Sequence, residues 1–424
     1  ECVAHIDHPG TSCSTGTEGG VLPGAPLDAE GGEVGATLRF AERDVRVRVG
    51  LSLIDVASAK ANLQLELPSD QPVETTSSAA RANWETEFAG WDVTGGTEEE
   101  RIIFWTALYH LLQMPTQYSD ADGRYVGFDG GIHQAEGRAY HSDLSLWDTY
   151  RTAHPAFDLF YPDYARDFSL SLLAMAEQGG AFPKWSVATA DGGSMIGAPA
   201  DIALADAIVK GVTDWRVNDA WALMVKQARG EGTIPYNARP GILEVEGLGY
   251  MPSDWYGGSV AWLQELSWAD AALAQAAESL GDHESAAHFM WRAYRYQNVF
   301  DPAQGYFHGK MSNGEFEPEL NPLAWEEEFV EGNAEQYLYL APWDADGLAE
   351  TLGGEESARA RLEGFMQGGM DEGPVIGPGA YYWHGNEPDI HAPWLFALWG
   401  DSASTLRWVR WVMQSQYHVD PDGL

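Results

Sequence analysis

The 424-residue sequence contains few cysteines, few basic residues and no long apolar segment. Its only cysteines are Cys2 and Cys13, which exclude a zinc framework built from cysteine alone. They lie close together in a stretch rich in Gly, Ser and Thr, so they are a candidate disulfide, with two free thiols as the alternative. A disulfide would favour an exported protein.

Basic residues are scarce: 24 Lys and Arg stand against 64 Asp and Glu, which gives a formal net charge of −40. This balance excludes nucleic acid as a partner, because binding it needs basic patches that release counterions. An anionic membrane surface is disfavoured for the same reason. The simplest interpretation of the acidity is a solvated surface that keeps the protein in solution.

No apolar run approaches the roughly 20 residues that a membrane-spanning helix needs, so no membrane span is predicted. The first residues, Glu-Cys-Val-Ala-His, lack the basic and apolar regions of a signal peptide, so an export signal, if there was one, has been removed. Hydrophobic residues make up 45% of the chain, which indicates a globular protein with room for more than one domain.

The chain changes character once along its length. Residues 34–68 alternate apolar and polar side chains, for example at Val45, Val47 and Val49, with the period of a β-strand. Trp84 falls in a predicted linking helix. The predicted domains are part of an N-terminal β-sandwich over 1–82, a linker helix region over 83–96 and a helical domain over 97–424.

The helical part opens at Thr97 with Thr-Glu-Glu-Glu, a helix-capping signature. About twelve helices are predicted from apolar spacing, with Gly- and Pro-rich loops between them and Gly281 as one helix stop. After the first of these, the predicted ranges are 142–153, 162–178, 201–211, 215–229, 258–280, 283–299, 331–340, 345–352, 356–368, 388–399 and 402–416. This number of sequential helices fits a mainly α fold, an (α/α)6 toroid whose inner helices are apolar nearly all round.

Two clusters of carboxylates and amides suit proton transfer to a sugar and binding of a hard cation. Glu331 is predicted to begin a helix after the acidic run 326–328, and like charges would raise its pKa as a general acid requires. A glutamate placed to suit the helix dipole is the alternative. Asn386 and Glu387 offer a neutral and an anionic oxygen, typical of Ca²⁺ sites, unless they only form a turn before Pro388.

Trp147 and Asp148 form a third candidate, because an indole covers the C–H face of a sugar while a carboxylate accepts two hydroxyl hydrogen bonds. The alternative is a helix start at which Asp148 pairs locally with Arg151.

These clusters, in this order, resemble glycoside hydrolase family 92, the calcium-dependent exo-acting α-mannosidases. The resemblance runs from about Val45 almost to the end of the chain. The segments that carry it are Phe104-Trp105-Thr106-Ala107-Leu108-Tyr109, Asp122-Gly123-Arg124-Tyr125, Ser145-Leu146-Trp147-Asp148-Thr149-Tyr150-Arg151, Pro183-Lys184-Trp185, Met195-Ile196-Gly197, Ala205-Asp206 with Lys210-Gly211, Glu331-Gly332-Asn333 with Gln336-Tyr337, and Gly385-Asn386-Glu387-Pro388-Asp389.

The resemblance implies a β-sandwich ahead of an (α/α)6 barrel, and hydrolysis of terminal α-mannose from glycans with inversion. Glu331 would be the general acid, and Asn386 and Glu387 would hold Ca²⁺, which also binds the mannose O2 and O3 in this family. The substrate-binding residues implied are Trp147, Asp148, Arg151, Lys184, Trp185, Asn333, Gln336 and Asp389. A secreted, periplasmic or cell-surface location is expected.

The sequence departs from the family pattern at both ends. The family's sandwich needs more chain than precedes the helices here, and its base aspartates follow an Asp-Gly-Leu-like segment, which here is the final 422–424. An inverting enzyme needs a second carboxylate roughly 6.5–9.5 Å from the acid. We therefore expect the general base outside this chain, on remaining segments of the same protein or on another chain.

Two other classes of function stay open. One is a non-catalytic glycan-binding or structural surface protein on a mannosidase-like scaffold. The other is a different (α/α)6 enzyme, such as a trehalase-like or glucoamylase-like hydrolase or a polysaccharide lyase. Loss of the base aspartates from the whole assembly would indicate the first, and calcium-independent activity on another glycan would indicate the second.

Overall fold

A computed structural model describes residues 46–420 and the backbone of five short strands between residues 2 and 38. Gaps within the longer range are 69–70, 233–234, 236–237, 326–327 and 374–377. The chain divides into two compact units. The first comprises Glu1–Gly95 and Gln117–Tyr140, and the second comprises Gly96–Thr116 and His141–Leu424.

The first unit begins with short antiparallel strands. They are β1 (Cys2–His5), β2 (Cys13–Thr17), β3 (Gly20–Pro23), β4 (Asp28–Gly31) and β5 (Gly35–Leu38). β1 pairs with β4, and β2 lies between β3 and β5 in a separate sheet. The side chains of Cys2 and Cys13 lie outside the described residues, so their disulfide stays a prediction.

Two helices and a hairpin follow in this unit. They are α1 (Val56–Glu66), α2 (Val73–Phe88) and the antiparallel pair of β7 (Arg124–Val126) and β8 (Ile132–Gln134), while β6 (Thr116–Gln117) lies where the chain passes between the units. Trp84 lies in α2, which confirms the predicted helix around it.

The strand predicted over 34–68 is wrong beyond residue 45. Residues 46–55 are irregular, with Val47 and Val49 exposed by 59% and 66%, and α1 follows. The Asp55 side chain accepts a hydrogen bond from the Ser58 amide at 2.7 Å, so an N-cap begins a helix of good helix formers there. An alternating pattern is not sufficient for a strand, because a strand must also pair with a neighbouring strand. The prediction from alternation therefore missed the helix cap at Asp55.

The second unit is mainly helical. Its helices are α3 (Glu98–Leu111), α4 (Leu146–Thr149), α5 (Ala153–Phe160), α6 (Pro162–Gly179), α7 (Pro199–Val209), α8 (Val217–Ala228), α9 (Ile242–Leu248), α10 (Ser259–Leu280), α11 (His283–Ala293), α12 (Ala334–Tyr337), α13 (Ala345–Thr351), α14 (Glu355–Glu372), α15 (Ala392–Leu398) and α16 (Ser402–Ser415). Its short strands are β9 (His141–Ser142), β10 (Ser186–Val187), β11 (Ala190–Asp191), β12 (Phe300–Asp301) and β13 (Tyr306–Phe307). Within the described ranges, no helix is both long and apolar enough to cross a membrane.

Most predicted helices are confirmed within a few residues. Thr97 and Glu100 form the complete capping box of α3, and Gly281 ends α10 in a left-handed conformation. Helices α7 and α10 are buried on nearly all sides, as predicted for inner helices, and α10 packs against both α7 and α11.

Two helix predictions need correction, and two helices were not predicted. The range 142–153 contains the single turn α4 and only the first residue of α5. Helix α5 was not predicted, and Pro155 lies in its first turn, where proline is tolerated. The range 331–340 contains only α12, since Glu331 has a left-handed φ of 49°. Helix α9 was not predicted.

Candidate active site

Three half-buried carboxylates from separate parts of the second unit influence one another: Asp148, Glu331 and Glu387. Burial, followed by the charge of Glu387, raises the pKa of Asp148 to about 6, and Glu331 adds to the shift. Burial also raises the pKa of Glu387, again with a contribution from Glu331. The structure therefore brings together residues that lie more than two hundred positions apart in the sequence.

Glu331 lies on a turn, not at a helix start as predicted. The next residue, Gly332, packs on the Tyr337 ring so closely that an added Cβ would lie 2.7 Å from it. The Tyr337 hydroxyl donates a hydrogen bond to the Val330 carbonyl at 2.6 Å. A left-handed φ at a non-glycine residue costs on the order of 1–3 kcal/mol, and such strain is concentrated at functional sites.

Asn333, Gln336 and Asp389 join the segment of Glu331 to the segment of Glu387. The Asn333 side chain caps α12 by accepting from the Gln336 amide at 3.0 Å, and the Gln336 side-chain amide donates to Asp389 Oδ2 at 3.2 Å. The same Oδ2 accepts from the Trp383 amide at 2.9 Å. All three side chains are buried, and direct sugar binding by Asn333, Gln336 and Asp389 stays a prediction.

A cation would find unpaired oxygen atoms in this cluster. Within the described part of the chain, Gln336 Oε1 and Asp389 Oδ1 are buried without a hydrogen-bond partner. Asn386 is buried, and Glu387 is half-buried beside it. Among the described residues there is no group of three His, Cys, Asp or Glu that could hold a metal. Amide and carboxylate oxygens together are ligands that a hard cation such as Ca²⁺ accepts.

Trp147 is 0% exposed, so the predicted sugar platform is wrong at this residue. Its indole Nε1 donates to Glu265 Oε1 at 3.1 Å, in the interior of the unit. The alternative interpretation is right about the helix start, since α4 begins at Leu146, but the ion pair of Arg151 is with Glu265 and not with Asp148. Arg151 donates to Glu265 Oε1 at 2.6 Å and to the Trp147 carbonyl at 3.0 Å.

The buried Arg151 therefore supports the site from within the core and does not bind sugar as predicted. Its guanidinium carbon lies 4.8 Å from the Trp147 ring centre and 4.6 Å from that of Tyr150. Cation–π contacts are stronger when they are shielded from water, so these contacts help to fix the Arg151 side chain.

Glu265 of α10 is the residue that sequence analysis missed. It is buried, and it accepts hydrogen bonds from Trp147, Tyr150 and Arg151. Its signal was present, because Glu265 stands between Leu263 and Leu266 in a predicted inner helix, and a charged residue is almost never fully buried unless it is paired.

Lys184 and Trp185 reach the same region through β10. The Ser186 amide donates to the Leu144 carbonyl at 3.2 Å, and the Leu144 amide donates to Ser186 Oγ at 3.1 Å, just ahead of Trp147 and Asp148. Lys184 is buried, and burial lowers its pKa, which does not suit the predicted sugar contact. Trp185 is half-buried, so part of its surface is accessible and its predicted role stays a prediction.

The segment 58–424 matches the model of the Glycosyl hydrolase family 92 catalytic domain. A curated relative from Arthroderma benhamiae, described as an uncharacterized secreted glycosidase, is 23% identical over 90% of this chain and 48% of its own. This chain thus spans about half the length of that relative.

Solved structures agree with the family match. A family GH92 α-mannosidase from Bacteroides thetaiotaomicron, in complex with mannoimidazole, has a TM-score of 0.81 and 29% identity over 88% of this chain and 50% of its own. A family GH92 inverting mannosidase from the same species has a TM-score of 0.86 and 26% identity over 98% of this chain and 59% of its own. The mainly α fold class, with its (α/α)6 barrel, is confirmed. The chain belongs to glycosyl hydrolase family 92.

Proposed function

We propose that this chain forms the acid-bearing part of a calcium-dependent, inverting exo-α-mannosidase that removes terminal α-mannose from glycans. The observation that carries the proposal is the approach of Asp148, Glu331 and Glu387, which come from three of the motifs typical of the family. Two structurally similar proteins of 29% and 26% identity are mannosidases, which supports the choice of sugar. A secreted location follows the description of the curated relative.

In this proposal Glu331 donates a proton to the leaving oxygen, and Asp148 accepts hydrogen bonds from sugar hydroxyls. The base that activates water is expected outside this chain, since the chain covers only 50% and 59% of the two mannosidases. Activity is therefore tested in the full-length protein. Full hydrolysis by residues 1–424 alone would place the base within this chain.

The test is Glu331→Gln, which keeps the size of the side chain but removes its acidic proton. We expect kcat/KM to fall roughly 10²–10⁴-fold on mannosides with poor leaving groups and much less on activated aryl mannosides. Glu335→Gln is the matched control, because Glu335 is a nearby carboxylate that accepts from the Tyr306 hydroxyl at 2.6 Å. An equal, small loss on both substrate types would remove Glu331 from the role of acid.

We propose further that Asn386 and Glu387, with Gln336 Oε1, hold Ca²⁺. When bound, the ion would supply a positive charge that binds vicinal mannose hydroxyls. The residues themselves offer a neutral and an anionic oxygen beside unpaired Gln336 Oε1 and Asp389 Oδ1. Their fit to a cation that takes six to eight oxygens supports the proposal, and backbone carbonyls or water would complete the shell.

Thermal unfolding tests the calcium site without relying on activity. Ca²⁺ at about 100 times its Kd should stabilise the protein by about 2.7 kcal/mol, and Mg²⁺ should do so poorly because it demands strict octahedral geometry. Glu387→Gln should weaken this response, whereas Glu356→Gln, on the exposed start of α14, should not. EDTA should also abolish hydrolysis. A calcium-free protein of unchanged stability and full activity would contradict the site.

A further inference from the structure

We infer that Glu265 is a positioning residue that holds the segment 146–151 so that Asp148 faces the sugar. The inference rests on the proposed function, since it concerns how one of its three carboxylates is placed. The motifs that resemble family 92 do not include Glu265.

The geometry is a three-point attachment to one carboxylate. Glu265 Oε1 accepts from Trp147 Nε1 at 3.1 Å and from Arg151 Nη2 at 2.6 Å, and Oε2 accepts from the Tyr150 hydroxyl at 2.9 Å. These donors lie on both sides of Asp148 in the sequence. Both oxygens of the carboxylate thus hold neighbours of Asp148, while Asp148 itself is half-buried.

The segment needs this support because α4 is a single turn of four residues. Isolated helices shorter than about 12 residues are marginal in water, so one turn has little intrinsic stability. Its conformation must come from tertiary contacts. Glu265 provides them from α10, a 22-residue helix that is buried on nearly all sides.

The Glu265 side chain is also in close contact with Gly197. Gly197 has a left-handed φ of 75°, and an added Cβ there would lie 2.9 Å from Glu265 Cβ. This contact explains why glycine stands at the end of Met195-Ile196-Gly197. A rigid helix and a close backbone contact are what a precise site requires of its supporting residues.

A contribution to stability does not by itself explain the buried ion pair between Arg151 and Glu265. Both the Arg151 and Glu265 side chains are almost fully buried, at 3% and 1% exposure. Replacing such a buried ion pair with apolar residues is often neutral or stabilising, whereas the pair does fix geometry. We therefore assign to Glu265 the placement of Asp148.

The test compares Glu265→Gln with Asp201→Asn, a matched change in the buried Asp201–Arg239 pair of the same unit. Hydrogen exchange of the peptide 145–152 should rise in Glu265→Gln and stay unchanged in Asp201→Asn. In the full-length enzyme, Glu265→Gln should lower kcat/KM on α-mannosides about 10–100-fold, since a small misplacement costs up to about 10². In an Asp148→Asn background the same change should cost less than about threefold, because its effect passes through Asp148.

Each outcome decides the inference. If the losses in kcat/KM from Glu265→Gln and Asp148→Asn are fully additive, as expected for Asp201→Asn, Glu265 has only a structural role. If hydrogen exchange over 145–152 is unchanged in Glu265→Gln, Glu265 does not position this segment. If Glu265→Gln does not fold, Tyr150→Phe removes one of the three donors and should show the same pattern at smaller size. A wild-type enzyme without mannosidase activity would refute the proposed function, while the exchange experiment would still test the attachment.

Discussion

Asp148 is held in a half-buried position beside the carboxylates of Glu387 and Glu331. Burial and these charges raise its pKa to about 6, whereas an aspartate in an unfolded chain has a pKa of about 3.9. The folded state thus binds this proton more tightly, so the contribution of Asp148 to stability falls as the pH rises from about 4 to about 6. A carboxylate whose charged form is disfavoured in this way by the folded state is typical of a functional site.

Protonation of Asp148 should therefore lower kcat/KM at acidic pH, which gives the pH–rate profile an acidic limb. As the pH falls below about 6, Asp148 becomes protonated and accepts sugar hydroxyls less well, so kcat/KM on mannosides should fall. Asp148→Asn should lower kcat/KM roughly 10–100-fold at pH 7, because hydrogen bonds to a charged group are worth about 1.5–3 kcal/mol. Rate profiles from pH 4.5 to 8 measure both effects.

The limb should be absent in Asp148→Asn. The control Asp254→Asn changes an exposed carboxylate that binds Ser312, and it should keep the wild-type profile. A limb of unchanged midpoint in Asp148→Asn would show that another group, such as Glu387, titrates there.

At the scale of elements, a network of buried charged side chains joins helices α7, α10 and α11. Arg239 donates to Asp201 of α7 at 2.7 Å and to Asp270 of α10 at 2.9 Å. Arg292 of α11 donates to the other oxygen of Asp270 at 2.6 Å. These ion pairs join the three helices in the interior of the unit.

Removing one member of this network should destabilise the fold strongly. Arg239→Met leaves Asp201 without its partner in the interior, and breaking a buried pair in this way costs about 3–5 kcal/mol. Urea unfolding followed by circular dichroism measures the loss of unfolding free energy. The control is Arg216→Gln, an exposed arginine bound to Glu177 and Asp219, for which about 0–1 kcal/mol is expected. Equal losses in the two variants would mean that the buried network contributes no more than a surface pair.

At the scale of the whole molecule, 64 acidic residues against 24 basic ones give a net charge of −40. Such an excess keeps a protein soluble and monomeric but destabilises the compact state through self-repulsion. The described ion pairs neutralise a minority of these charges. Solvent ions therefore affect the stability of this protein more than that of a neutral one.

Added NaCl should accordingly raise the Tm. Between about 0.01 and 1 M salt the Debye length falls from about 30 to about 3 Å, which screens repulsion between exposed carboxylates. Differential scanning calorimetry in EDTA measures this effect without specific calcium binding. Sucrose at matched osmolality is a control for exclusion effects on burial. A Tm that falls or stays constant with NaCl would show that self-repulsion is not a major term in the stability of this protein.

The sequence alone predicted most helices of the second unit and the residues that meet at the site. Local chemistry decides these features: the capping box of Thr97 and Glu100 begins α3, and Gly281 ends α10 because glycine adopts the left-handed conformation without strain. The clusters around Asp148, Glu331 and Glu387 were also visible, since they combine carboxylates or amides with neighbouring Trp, Gly or Pro residues.

The tertiary structure decided which of these side chains face the site and which support it. Trp147 and Arg151 stand beside Asp148 in the sequence, yet both turn inward to Glu265, more than a hundred residues away. Val47 and Val49 alternate like a strand but lie unpaired and exposed. Sequence spacing fixes the direction of a side chain only within a regular element. In and beside the one-turn helix α4, long-range partners determine it instead.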